Sequence, residues 1–104
     1  MMLGMPRRAF TDLPPEVLAA IEAFGTPARV AIVDALRTYE PTTKTHIAEV
    51  VGIDYKVTLY HMGILERLGV VIPEKMPGRK QALYSVDVTR ARELHMLLAR
   101  ALGI

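Results

Sequence analysis

The sequence contains no cysteine in its 104 residues. That absence removes disulfides, thiolate metal sites and cysteine nucleophiles together, and it fits a cytoplasmic protein. No apolar run approaches the ~20 residues of a membrane span, so no membrane partner is expected. The opening Met1-Met2-Leu3-Gly4-Met5-Pro6-Arg7-Arg8 carries its charges after a trivial apolar stretch, which is not the layout of a secretory signal. Residues 1–10 read instead as a flexible end. Internal repeats and low-complexity segments are missing too. So are a Gly-rich phosphate loop, a Ser-His-Asp pattern in a recognisable context and a metal-ligand cluster, and nothing supports an enzyme. A surplus of one charge is also lacking: 13 basic against 11 acidic residues leave only +2.

What is present is an apolar fraction of 51% spread along the whole chain. That argues for one folded domain over residues 1–104, just large enough for a core of its own. The basic residues, few in excess, are clustered. Arg7 and Arg8 are adjacent, and Lys75, Arg79 and Lys80 lie together with no acid between them. A local basic loop matters more for phosphate binding than the chain total.

The chain is organised around residues 45–71. Two helical patterns meet there at Gly52-Ile53-Asp54. The first carries Ile47, Val50 and Val51 on one stripe; the second carries Thr58, Met62, Leu65 and Leu68, with Ile64 nearby. Asp54 is expected to cap the second helix through its carboxylate, and Gly69 to end it. A short helix, a tight Gly-containing turn and a longer helix over 45–68 form a helix-turn-helix, whose second helix is the natural DNA reader.

The flanking segments follow from local punctuation. Pro14-Pro15 opens a helix over 14–24, with Val17, Leu18, Ile21 and Phe24 at helical spacing, and Gly25 ends it. Thr26-Pro27 starts another over 27–38, with Val30, Val33 and Leu36 as its stripe and Ile32 and Tyr39 widening it. The break at Glu40-Pro41 stops that helix. The helix-turn-helix then places helices at 45–51 and 54–68. After Gly69 the period turns extended: Val70–Ile72 and Ala82–Val86 flank a basic tip, a hairpin over 70–86 whose Pro73 and Pro77 keep the ladder short. A last helix spans 88–102. The predicted fold is mainly α with a small β-hairpin, in the order α-α-α-α-β-β-α.

These features together resemble the ArsR/SmtB-type winged-helix repressors. Gly25-Thr26-Pro27-Ala28-Arg29 through Leu36 is similar to the opening of that family's second helix. Ile47-Ala48-Glu49-Val50-Val51-Gly52-Ile53 is similar to its entry to the turn. Tyr60-His61-Met62-Gly63-Ile64-Leu65-Glu66-Arg67-Leu68-Gly69-Val70-Val71 resembles its exit, with tyrosine in place of the family's first histidine. The resemblance implies a winged helix-turn-helix and a homodimer joined through the helices at 11–25 and 88–102. It also implies double-stranded DNA as partner, with each reader helix in a major groove and the hairpin beside the backbone as a wing.

On that reading the DNA-binding candidates are Tyr55, Lys56, Leu59, Tyr60 and Gly63 on the reader helix, Lys75, Arg79 and Lys80 in the wing, and Thr43, Lys44 and Thr45 at the start of the third helix. Each has a plainer alternative as a packing residue, a solvated turn or a cap. The reader face offers no Arg, Asn or Gln for bidentate base contacts, so specificity would lean on DNA shape and on the wing. Val17, Leu18, Ile21, Leu94, Leu97, Leu98 and Ala101 are the candidate dimer residues, since one short chain cannot easily cover both terminal stripes.

The family's metal motifs are not matched. There is no cysteine in the third helix, and Glu93 and His95, two apart, point in different directions; no metal or other cofactor is expected. The expected function is a dimeric transcriptional regulator, most simply a repressor that blocks a promoter. A winged-helix protein-interaction module, or a structural plasmid or phage DNA-binding protein, remains the alternative. No effector can be read from the residues.

Overall fold

The computed structural model describes residues 12–104. Arg7, Arg8 and the predicted flexible end lie outside the described residues. The elements are α1 (Pro15–Phe24), α2 (Pro27–Tyr39), α3 (Lys44–Val51), α4 (Tyr55–Arg67), β1 (Val71–Glu74), β2 (Leu83–Val86) and α5 (Val88–Leu102). This is the predicted order, with helix boundaries within a residue or so of expectation.

Local chemistry sets most of those boundaries. The side chains of Thr26, Thr43 and Asp87 accept from the backbone N–H of Arg29, His46 and Arg90, capping α2, α3 and α5. Gly52 closes α3 in the left-handed conformation at φ 70°, a backbone shape that suits glycine because it has no Cβ. Gly25 answers a different need: a Cβ there would sit 2.4 Å from the Ile21 carbonyl oxygen, so α1 can turn directly into α2 only through glycine. The Asp54 carboxylate, in contrast to the expectation, makes no cap bond. The Asp54 carbonyl oxygen instead accepts from the Thr58 amide and hydroxyl, at 2.9 and 3.1 Å. This buried threonine ties the turn to α4.

One core joins all the helices to the hairpin. Ala20 and Ala23 of α1, Ile32 and Leu36 of α2, Ile47 of α3, Met62 and Leu65 of α4, Val70, and Leu94 of α5 are fully buried together. The buried face of α2 differs from the predicted stripe. Val30 is 48% exposed and Tyr39 faces outward as well, while Arg29 is buried. Apolar residues almost encircle this helix, so its inward face was set by its neighbours rather than by its own pattern. Val50 of α3 is likewise exposed rather than in the core.

The hairpin pairs antiparallel from Val71 opposite Val86 to Glu74 opposite Leu83, which puts Pro73 opposite Tyr84. Tyr84 spends both backbone groups on its other side, donating to Thr42 O (2.7 Å) and accepting from Thr42 N (3.1 Å). Pro73, without an N–H, therefore sits where no rung is needed. The bridge to Thr42 adds a short third edge to the wing. Glu40 braces the same corner, one carboxylate oxygen accepting from the Val86 amide (2.8 Å) and the other from Arg37 (2.6 Å).

Helices α1 and α5 pack along each other. Val17 and Leu94 are buried within the chain's own core, and Leu97 and Leu98 are half-buried against it. Leu18 (46% exposed) and Ile21 (40%) face outward from α1, as Met96, Ala101 and Leu102 do from α5.

Candidate nucleic-acid interface

The helix-turn-helix presents the outer side of α4. With Thr58, Met62, Ile64 and Leu65 turned into the core, Tyr55, Lys56, Val57, Tyr60 and Gly63 remain exposed. Tyr60 is the most open of the tyrosines at 65%. Leu59 is half-buried, so only part of it faces out, and Val57 is exposed at the start of the helix on the stripe it shares with His61 and Ile64. The surface is aromatic and aliphatic, with one cation.

The cations come from the elements beside it. A cleft of about 250 Å³ between the start of α3, the start of α4 and the wing is lined by Lys44, Tyr55, Lys75, Lys80, Gln81 and Tyr84. Lysines distant in sequence thus face one space beside α4. Lys44 is half-buried there, its ammonium 5.0 Å from the Tyr84 ring centre and 3.8 Å from Glu66. Burial penalises this ammonium, but Tyr84 and Glu66 more than offset that and raise its pKa. The Thr45 hydroxyl reaches Gln81 at 3.4 Å, joining α3 to the wing, while Thr43 is occupied as the α3 cap. Arg79 lies outside the cleft, in an exposed turn closed by its amide on Met76 O. Two acids, Glu49 and the expected cap Asp54, border the outer surface of the turn beside Tyr55.

A second feature that sequence reasoning missed holds α4 from behind. Arg29, buried in α2, donates from Nε to the Glu22 carbonyl at 2.6 Å and from a terminal nitrogen to His61 Nδ1 at 2.9 Å. Because a guanidinium can only donate, His61 Nδ1 accepts and the imidazole is neutral with its proton on Nε2. Burial and the neighbouring Arg29 charge both hold the His61 pKa below its ordinary 6.5. The end of α1, the middle of α2 and the reader helix are therefore tied through one side chain. The signal for it was an arginine within an otherwise apolar helix pattern.

The other histidines are dispersed. His46 bonds the Thr42 hydroxyl (2.9 Å) and meets the edge of Tyr39, and His95 is exposed on α5. Among the described residues no three His, Asp or Glu side chains converge as a metal site would require.

No protein-family model matches the chain. Over 79 residues, 76% of its length, it is 27% identical to the HTH-type transcriptional regulator NmtR of Mycobacterium tuberculosis, and the match spans 63% of that protein. Among solved structures it is similar to the homodimeric winged helix-turn-helix DNA-binding domain of a possible ArsR-family transcriptional regulator from Mycobacterium bovis. That likeness has a TM-score of 0.67 at 20% identity and covers 96% of this chain and 90% of that one. An ArsR family transcriptional regulator gives 0.67 at 17% identity, over 85% and 93% of the two chains. The transcriptional repressor CouR, bound to a 23-mer DNA duplex, gives 0.60 at 17% identity, over 81% and 65%. The fold is the winged helix-turn-helix, and the proteins it resembles are transcriptional regulators, ArsR-family members among them.

Proposed function

We propose that the protein is a homodimeric DNA-binding transcriptional regulator that represses by occupying a promoter, and that it is not an enzyme. The observation that carries this reading is the convergence of Lys44, Lys75 and Lys80 on one cleft beside the exposed face of α4. An exposed helix face with phosphate-binding cations along one edge is what insertion into a major groove requires. In this reading Tyr55, Lys56, Tyr60 and the outer part of Leu59 meet the groove, and Gly63 leaves room for the backbone. Lys75, Arg79 and Lys80 neutralise phosphates flanking it. Thr43, Lys44 and Thr45 lie where the α3 N-terminus can favour a further phosphate. Because Val17 and Leu94 are used internally, the proposed dimer face narrows to Leu18, Ile21, Met96, Ala101 and Leu102, with the open edges of Leu97 and Leu98. A two-fold dimer would read half-sites about one helical turn apart.

The acids Glu49 and Asp54 beside an aromatic-aliphatic face favour a second reading, a protein-interaction module on the same fold. Duplex binding across a salt series separates the two, using DNA from upstream of the protein's own gene against random competitor. The regulator reading expects a preferred fragment whose affinity falls steeply with salt. Equal, weak binding to both DNAs would indicate an architectural role, and no binding at low salt would leave the interaction module.

A further inference from the structure

A cavity of about 400 Å³, lined by no residue of α3 or α4, opens between the end of α1, α2, β2 and α5. Its walls are Phe24, Val30, Val33, Val86, Val88 and Ala91, and its mouth carries Arg37, Arg92 and His95 with no acid among the lining residues. The Arg37 charge is taken by Glu40 at 2.6 Å. Arg92 and His95 form no ion pair among the described residues. The size is that of a small-molecule site, and an apolar body with a cationic mouth complements one chemistry: a small organic carboxylate with an aromatic or short aliphatic body.

We propose that this cavity binds such a carboxylate, its apolar body against Val33, Val86 and Ala91 and its carboxylate on Arg92, with His95 beside it. A second copy of the chain is a poorer occupant, because Leu18, Ile21, Met96 and Leu102, the exposed apolar residues assigned to the dimer, line no part of the cavity. The walls join the wing to the last helix: Val86 ends β2 and donates its amide to Glu40, while Val88 and Ala91 belong to α5. An occupant would press between the wing and a dimer helix. Its effect on DNA rests on the regulator reading; its binding does not.

The test is a titration of the whole chain, without DNA, by benzoate and by its uncharged counterpart benzyl alcohol, followed by amide NMR shifts. Saturable shifts at Val33, Ala91, Arg92 and His95 are expected, with benzoate binding about ten-fold more tightly than the alcohol. Arg92→Gln, a surface change, should level the two ligands, and Ala91→Leu should abolish both while the fold is checked by thermal melting. The proposal is overturned by shifts confined to Lys44, Lys75 and Lys80, by no saturable shift, or by binding that appears only when a dimer is diluted to monomer. Promoter DNA is then added. Release of DNA by benzoate would extend the inference to regulation. Failure of DNA to bind without ligand would refute the regulator reading and leave the cavity result standing.

Discussion

Replacing Arg29 by methionine tests how the reader helix is held. The methionine keeps most of the apolar stem that packs in α2 and removes the guanidinium. Two hydrogen bonds from a charged donor are lost, to the Glu22 carbonyl at 2.6 Å and to His61 at 2.9 Å. Each such bond contributes about 1.5–3 kcal/mol. Relief from burying a guanidinium offsets part of this, so a net loss of about 2–3 kcal/mol is expected. At ~4–8 °C per kcal/mol for a domain of this size, the melting temperature should fall by roughly 10–20 °C at fixed protein concentration. The loss also has a pH signature. The folded His61 pKa lies below its ordinary 6.5, so its contribution to stability is complete above 6.5 and is lost as the pH falls through the folded value. Arg29→Met removes the neighbouring positive charge, one of the two causes of that depression, so the His61 pKa should rise in the variant. Denaturant titrations at pH 7.5 and pH 5 should then show a larger destabilisation at the higher pH. A loss below about 0.5 kcal/mol at pH 7.5, or an equal loss at both pH values, would refute the assignment of Arg29 as the tie between α1, α2 and α4.

Gly63→Ala should separate stability from recognition. A Cβ there meets nothing within 4 Å, so thermal melting should show a gain of about 1 kcal/mol from helix propensity. DNA affinity should nevertheless drop if α4 lies close in the groove, and unchanged affinity would remove Gly63 from the interface. Glu40→Ala strips the partner from the Val86 amide at the base of the wing and should cost about 1–3 kcal/mol, read by denaturation and by faster hydrogen exchange at Val86. Glu40→Gln should recover much of that, because its amide oxygen can still accept from the Val86 amide while the pair it gives up is half-exposed on the Arg37 side. Lys75→Ala and Lys80→Ala should each lower the slope of log affinity against log salt by about 1 while weakening all duplexes alike. A change in sequence preference instead would assign that lysine to base contact.

The helix-turn-helix was legible because its boundaries are local events: a Thr-Pro start, a threonine cap, a glycine at positive φ and a proline break each act within a few residues. What escaped was decided between elements. Val30, Ile32, Val33 and Leu36 leave α2 with no single apolar side, so its orientation came from packing against α3 and α4, and that orientation buried Arg29 where a carbonyl and an imidazole could satisfy it. The rung between Thr42 and Tyr84 joins segments separated by a whole helix-turn-helix, and nothing near either residue announces it. The Asp54 carboxylate was a sound cap by composition, yet it bonds no amide of α4, and the turn is tied instead by the Thr58 hydroxyl donating to the Asp54 carbonyl oxygen. The candidate interface shows the same division. Lys44, Lys75 and Lys80 could each be picked out as cations, but their shared cleft depends on how the wing folds back on the start of α3. The outer face of α4 was readable only as the remainder after the core positions were taken away. That subtraction leaves Tyr60 and Lys56, which are exposed, since Thr58, Met62 and Leu65 are fully buried. It takes Leu59 as wholly outward, whereas that residue stands half-buried at the border between the two faces, and it takes no account of Glu49 and Asp54, which line the neighbouring turn from outside the helix.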